Sequence, residues 1–112
     1  MAVLYAVAAF VLMEPVTYAM HRCVMHGIGW VLHRSHHRPR REGLEANDWF
    51  PVIFAGVTIT GLEVGTGVHG VGVLVPICVG VTAYGAAYAF VHDVCIHGRL
   101  GGFRLRGPLV RL

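Results

Sequence analysis

The chain has 112 residues, of which 55% are hydrophobic and 13% charged, and its mean hydropathy is +0.62. An ordinary soluble domain carries about 25% charged residues, so this composition excludes that class and indicates one membrane domain. The net charge of +3 is the balance between six acidic residues and nine arginines. The arginines concentrate in residues 34–41 and 99–111, which is typical of a membrane-surface anchor and predicts no nucleic-acid partner.

Three apolar segments predict an all-α integral membrane protein with about three transmembrane helices, four being the alternative. The first segment, residues 2–20, is long enough to cross roughly 30 Å of hydrocarbon as a helix. Pro15 removes one helical hydrogen bond and is expected to kink this helix. Gly27 and Gly29 are expected to end it, because glycine tolerates the conformations found at helix ends. We read the segment as a retained span and not as a signal peptide.

A second helix is predicted to begin at Trp49, with Asn47 or Asp48 as its cap. Its apolar pattern covers residues 52–62, or extends to about Val68 if Glu63 lies at an interface.

The third span is predicted over residues 71–91. Small residues in this span favour close helix–helix approach. They are Gly80, Gly85, Ala86, Ala87 and Ala89. The three cysteines, Cys23, Cys78 and Cys95, lie in or beside apolar segments and are predicted to be free thiols.

Seven of the eight histidines fall into three motifs near the ends of predicted spans. The motifs are H-x4-H at His21 and His26, H-x2-H-H at His33, His36 and His37, and H-x4-H at His92 and His97. Neutral imidazole is the commonest metal ligand in proteins and suits iron, copper and zinc. The pattern therefore predicts a metal centre at the membrane surface. His69 belongs to none of the motifs and is predicted to be a loop residue.

Three spans would place the arginine-rich regions, and the histidines beside them, on the same side of the membrane. The positive-inside rule makes that side cytoplasmic and puts the N-terminus outside. The histidine motifs would then meet on one face, although about 60 residues separate them in sequence.

Helical spacing predicts which imidazoles can converge. At about 100° per residue, His33, His36 and His37 share one helix face. The two histidines of an H-x4-H pair lie about 140° apart on an α-helix. Each pair ends directly before a glycine, so the second histidine can swing back where the helix unwinds. The alternative is that the two members bind different metals.

Polar residues on the same helix faces lead from the membrane interior towards the histidines. They are predicted to support the ligands or to form the wall of a substrate pocket. These residues are Glu14, Tyr18, Tyr84 and Tyr88. Asp93, directly after His92, is predicted to orient that histidine, or alternatively to lie at the membrane interface. A carboxylate within a span is costly, which makes Glu14 a functional candidate. The alternative for the tyrosines is ordinary packing, and the alternative for the H-x2-H-H segment is a solvated basic loop.

The three motifs, together with Glu45-Ala46-Asn47-Asp48 and Thr82-Ala83-Tyr84-Gly85, resemble the bacterial β-carotene 3-hydroxylases. These belong to the membrane fatty-acid hydroxylase and sterol desaturase superfamily, and the resemblance covers roughly residues 10–106. It implies that all seven motif histidines bind a non-haem di-iron centre in the bacterial inner membrane. It further implies O2-dependent hydroxylation of β-carotene to zeaxanthin, with electrons from a separate donor such as ferredoxin and its reductase.

One departure from the family pattern concerns its last motif. The family carries a second H-x2-H-H after the last H-x4-H, whereas no histidine follows His97 here. We therefore expect one hydroxylase-type domain, residues 1–112, C-terminally truncated and inactive or poorly active in this form. The alternatives are a hydroxylase of a sterol or fatty acyl lipid, or a non-catalytic membrane protein that binds or transports metal. A bis-histidine haem protein fits the sequence less well, because its histidine ligands should lie within facing spans and not at their ends.

Overall fold

The structure is a computed structural model that describes residues 1–37 and 45–92. Its helices are α1 (Ala2–Ala19), α2 (Trp30–His33), α3 (Trp49–Gly67) and α4 (Leu74–Ala89). A π-helix, Met20–Ile28, continues α1, and a 3₁₀ turn, Ala46–Asp48, precedes α3. The described residues contain no strand. Predictions that concern Pro39, Asp93, Cys95, His97 and the basic tail lie outside the described ranges.

Three helical segments are long and apolar enough to cross a membrane: Ala2–Ile28, Ala46–Gly67 and Leu74–His92. The predicted all-α class and the predicted three spans are therefore confirmed. Within the most apolar 18-residue stretch of each segment, only 0%, 11% and 17% of the residues are buried inside the protein. The apolar side chains therefore face outward. Such faces are stable when lipid surrounds them, and the protein is an integral membrane protein.

The helical conformation of these segments follows from the lipid environment more than from residue preference. Lipid offers no hydrogen-bond partners, so each backbone group must be satisfied within the segment. Segment α3 is rich in valine, threonine and glycine, which are poor helix formers in water. Its threonine hydroxyls donate to carbonyl oxygens one turn earlier, as Thr60 does to Gly56 at 2.9 Å and Thr66 to Leu62 at 2.8 Å. Both the backbone and the hydroxyls are thus satisfied locally.

The helix boundaries modify several predictions. Pro15, which was predicted to kink the first helix, lies inside α1 and does not end it. The second span has the longer of its predicted lengths and ends at Gly67. The third begins at Leu74, three residues later than predicted, because residues 68–73 form the turn between α3 and α4. His69 lies in this turn, as predicted, and Gly70 has a φ of 87° that favours glycine.

Helix α4 packs against both α1 and α3 and is the central helix of the bundle. Its contact with α1 is closest at Gly80, where a β-carbon would collide with the Ala6 carbonyl oxygen. Its contact with α3 is closest at Gly61, where a β-carbon would lie 2.5 Å from the Cys78 sulfur. Gly85 was predicted to serve the same purpose, but a β-carbon there would meet no atom within 4 Å. The three helices alternate in direction along the chain, so the C-terminal ends of α1 and α4 lie together.

The Gly80 contact generates a prediction about stability. Replacing Gly80 by alanine forces α1 and α4 apart, because the new methyl group meets the backbone at Ala6. We expect a loss of about 1–3 kcal/mol in the free energy of unfolding. Gly85→Ala is the matched control in the same helix and should have little effect. Denaturant unfolding of both variants in detergent measures the difference. Equal stability of the two would contradict the packing described here.

Candidate metal centre

The first pair of motif histidines meets because the helix that carries it is wound more widely than an α-helix. A π-helix forms hydrogen bonds between residues five apart, so residues i and i+5 lie on the same side. Within Met20–Ile28 this winding brings the Nε2 atoms of His21 and His26 to 3.0 Å from each other. The predicted separation of about 140° is wrong here, because it assumed α-helical geometry. The helix is interrupted at Gly27, directly after His26, as the glycine predicted.

Two glycines then redirect the chain so that the next motif approaches the first. Gly27 has a non-helical backbone, with φ −99° and ψ −116°. Gly29 donates its N–H to the Val24 carbonyl oxygen at 2.8 Å. A β-carbon on Gly29 would lie 2.9 Å from that same oxygen and 2.9 Å from the Phe50 ring, so only glycine fits without displacement. The short helix α2 begins directly afterwards and carries His33 at its end.

Four imidazoles converge at this end of the bundle: those of His21, His26, His33 and His37, here called the four-histidine cluster. Each offers one ring nitrogen, and these nitrogens all lie within 4.8 Å of one another. His33 and His37 face each other with Nε2 atoms 3.1 Å apart, as His21 and His26 do at 3.0 Å. Two imidazole nitrogens bound to one metal at about 2.1 Å are roughly 3 Å apart when adjacent. The donor set and its spacing therefore fit a transition-metal ion.

The protonation state of His37 suits this chemistry. Removal from water, followed by the neighbouring imidazoles of His33 and His26, lowers the pKa of His37 below its ordinary value. His37 is therefore neutral at pH 7, which is the form that binds metals.

His36 does not join the four-histidine cluster, although it belongs to the same motif. Helix α2 ends at His33, and residues 34–37 form turns, so His33, His36 and His37 do not share the predicted helix face. The His36 ring stacks instead on the His92 ring, with centroids 5.0 Å apart. Its Nδ1 lies 3.7 Å from the Glu45 carboxylate. The second and last motifs thus meet at one end of the bundle, as the three-span topology predicted.

A cavity of about 670 Å³ adjoins the histidines between α1 and α4. Its lining includes four polar residues predicted along these helices, two polar residues that were not predicted and three motif histidines. They are Glu14, Thr17, Tyr18, His21, Arg22, His26, Tyr84, Tyr88 and His92. Tyr18 and Tyr88 are 63% and 37% exposed, so the wall of the cavity that these two residues form reaches the outer surface of the helices.

The polar residues of the cavity interact with one another. The Tyr84 hydroxyl donates a hydrogen bond to the Glu14 carboxylate at 2.8 Å, joining α4 to α1. The Arg22 guanidinium donates to the Tyr18 hydroxyl at 3.1 Å. Tyr88 stacks on His92 with centroids 5.0 Å apart. Glu14 therefore has a partner inside the bundle, and two tyrosines connect the cavity to the histidine end.

Sequence reasoning missed three residues that surround the four-histidine cluster. Asn47 was predicted to cap α3, yet its side-chain oxygen lies 2.7 Å from Nδ1 of His33. Trp30 stacks on the His26 ring at a centroid distance of 5.4 Å, and Phe50 packs edge-on against His33 at 6.3 Å. Residue spacing carries no signal for these contacts, because they depend on how the segments fold together.

The fold and this site define a class of protein: a helical integral membrane protein with a histidine cluster beside a cavity within its spans. Comparison with known proteins finds relatives of similar sequence. The chain is 45% identical to the β-carotene hydroxylase of Pseudescherichia vulneris over 96 residues, covering 86% of this chain and 53% of that protein. It is 42% identical to the β-carotene hydroxylase of Pantoea ananas over 78% of this chain and 49% of that protein. The predicted resemblance is confirmed: over most of its length, the chain is similar in sequence to bacterial β-carotene hydroxylases.

The similarity extends to plants. The chain is 42% identical to the chloroplastic β-carotene 3-hydroxylase 1 of Arabidopsis thaliana over 84 residues, which are 70% of this chain and 26% of that protein. The chain spans about half the length of the bacterial relatives named above. No protein-family profile matches it, and no solved structure does.

The cluster generates a prediction about metal content. Replacing His26 and His37 together by alanine removes half of the four-histidine cluster. We expect bound transition metal to fall by more than about tenfold, since even residues that only support ligands change affinity by 10–100-fold. His69→Ala, in the turn at the opposite end, is the matched control. Elemental analysis of the purified variants after loading with Fe²⁺ measures the difference. Undiminished iron in the double variant would exclude this cluster as a metal site.

Proposed function

We propose that this protein hydroxylates the ring of a carotenoid, converting β-carotene to zeaxanthin, with non-haem di-iron held by its histidines. One observation carries the proposal: four imidazoles converge at the end of a cavity that lies between two membrane-spanning helices. An apolar substrate can enter such a cavity from the lipid, and a metal at its end would lie close to the substrate. The names of the relatives supply the substrate class and the reaction.

All seven motif histidines are assigned to metal in this proposal. The four-histidine cluster would hold one ion, and His36 and His92, whose rings stack beside it, would contribute to a second. His97 is assigned by the resemblance alone, since it lies outside the described residues. When bound, non-haem iron would supply the activation of O2 needed to hydroxylate an unactivated C–H bond. One oxygen atom of O2 would enter that bond and the other would leave as water. The electrons for this reduction would come from a separate donor such as ferredoxin and its reductase.

The protein side chains would position the substrate and exclude water. Tyr88 forms part of the cavity wall and stacks on His92, so a ring that packs against Tyr88 would lie beside the histidines. The Glu14–Tyr84 hydrogen bond ties α1 to α4 and keeps both polar groups paired within the cavity. Asp93, which directly follows His92 in the sequence, is proposed to orient that histidine.

The proposed orientation places the histidines on the cytoplasmic side of a bacterial inner membrane. Arg22 and Arg34 lie at the histidine end of the bundle, whereas the turn of residues 68–73 at the opposite end contains no arginine or lysine. This asymmetry supports a cytoplasmic histidine end by the positive-inside rule. A soluble ferredoxin-type donor would then reach the centre from the cytoplasm.

Product analysis tests the proposed reaction. We expect a β-carotene-producing bacterium with a ferredoxin-type donor to make little or no zeaxanthin from residues 1–112. The same sequence extended to restore a second H-x2-H-H motif should make zeaxanthin readily, and the variants below are made in that extended form. His33→Ala should reduce zeaxanthin by more than about 100-fold, because a lost ligand costs more than a lost supporting residue. His69→Ala should leave it unchanged. Chromatography of extracted carotenoids measures both effects.

Two other outcomes of that experiment would redirect the assignment. Iron-loaded protein without zeaxanthin, but with an oxygenated sterol or fatty acyl lipid, would show a different substrate. Iron-loaded protein with no oxygenated lipid would indicate a non-catalytic membrane metal-binding protein.

The cavity generates a separate prediction about Tyr84. Tyr84→Phe keeps the ring, which packs edge-on against Phe10 at 5.7 Å, but removes the hydrogen bond to Glu14. A single hydrogen bond contributes about 0.5–1.5 kcal/mol, so we expect zeaxanthin to fall by about 2- to 10-fold with iron content unchanged. Tyr5→Phe, near the far end of α1, is the matched control. Unaltered product in Tyr84→Phe would show that the pair does not shape the productive cavity.

A further inference from the structure

His33 is the most buried side chain among the described residues, with 1% of its surface exposed. Both of its ring nitrogens have close neighbours. Nε2 lies 3.1 Å from Nε2 of His37, within the four-histidine cluster, and Nδ1 lies 2.7 Å from Oδ1 of Asn47. The imidazole is therefore held from two opposite sides.

The contact with Asn47 determines which nitrogen of His33 carries the proton. An amide oxygen accepts hydrogen bonds and cannot donate them, so Nδ1 of His33 must donate its N–H to Asn47. In a neutral imidazole the other nitrogen, Nε2, then has a free lone pair. That lone pair faces Nε2 of His37, 3.1 Å away within the four-histidine cluster.

We propose that Asn47 is a positioning residue that fixes His33 in the Nδ1–H tautomer and orients its Nε2 towards the metal. The proposal rests on the metal site of the proposed function and extends it to a residue outside the histidine motifs. A carbonyl or carboxylate oxygen on the second nitrogen of a metal-binding imidazole sets its orientation and raises its basicity. Asn47 would have that effect on the most enclosed member of the four-histidine cluster.

The segment around Asn47 is built to hold this side chain in place. The Glu45 N–H donates to the Asp48 carboxylate at 2.9 Å, and the Asp48 N–H donates to the Glu45 carbonyl oxygen at 3.0 Å. These two bonds close the 3₁₀ turn Ala46–Asp48, which carries Asn47. Phe50, one turn later, packs its ring edge-on against His33. The turn and the start of α3 thus cover His33 and shield its hydrogen bond from water.

Two variants and one direct measurement test this assignment. Asn47→Ala leaves the Nδ1–H of His33 without an acceptor, so we expect metal affinity to fall by about 10–100-fold. Asn47→Asp keeps an acceptor oxygen of similar size and should restore affinity to near that of the unaltered protein. Titration of each detergent-solubilised protein with Co²⁺, followed by its visible absorption bands, measures the affinities.

The direct measurement is the tautomer of His33 in the metal-free protein. Nitrogen-15 NMR of the protein labelled at histidine, with His33 assigned through His33→Gln, should show a protonated Nδ1 and an unprotonated Nε2. Asn47→Ala should shift this balance. A protonated Nε2 in the unaltered protein would overturn the assignment even if the variants failed to fold.

The outcomes separate this inference from the proposed function. If the unaltered protein binds Co²⁺ and Asn47→Ala binds it equally well, the positioning role is wrong and the metal site stands. If Asn47→Asp loses affinity as Asn47→Ala does, the amide nitrogen and not the oxygen faces His33, and the inference fails. If the unaltered protein binds no metal, the proposed function fails, while the NMR measurement still decides the tautomer.

Discussion

The winding of residues 20–28 is the constraint on which the candidate site depends. An α-helix would place His21 and His26 on different faces, whereas the π-helix in this segment brings their Nε2 atoms to 3.0 Å. π-Helical segments are uncommon and occur often at functional sites. Here the segment lies at the end of a membrane span, where the backbone leaves the regular helix and the glycines redirect it. The convergence of His33 and His37 on the first pair follows from that change of direction.

Helix α4 connects the histidine end to the interior of the membrane. It lies between α1 and α3 because glycines permit backbone contact on both sides, at Gly80 with α1 and opposite Gly61 with α3. This close packing sets the cavity between α1 and α4 and places Tyr84 within reach of Glu14. The same placement brings His92 to the His36 ring. One packing arrangement thus accounts for the cavity and for the meeting of distant histidine motifs.

The segment before α3 has a role that helix capping alone does not describe. Asp48 occupies the position directly before α3, but its side chain makes no capping bond to that helix. It closes the turn with Glu45 instead, and Asn47 reaches His33. A turn between two spans therefore forms the outer wall of the histidine cluster. Polar residues in such a turn, where the polypeptide leaves the membrane, can satisfy a buried imidazole without any charge entering the apolar region.

The sequence alone determined the membrane class, the three spans and the resemblance to the β-carotene hydroxylases. Long apolar segments must be helical in lipid, and the spacing of seven histidines is specific enough to identify relatives. The positions of the spans were also predictable, to within a few residues, from where apolar sequence gives way to glycine, proline and charge. Only the tertiary structure decided which histidines converge. His26 lies against His21 because of π-helical winding. His36 lies outside the four-histidine cluster because α2 ends at His33. Asn47 and the Glu14–Tyr84 pair became visible only when segments distant in sequence packed together, since residue spacing describes one helix and not the contacts between helices.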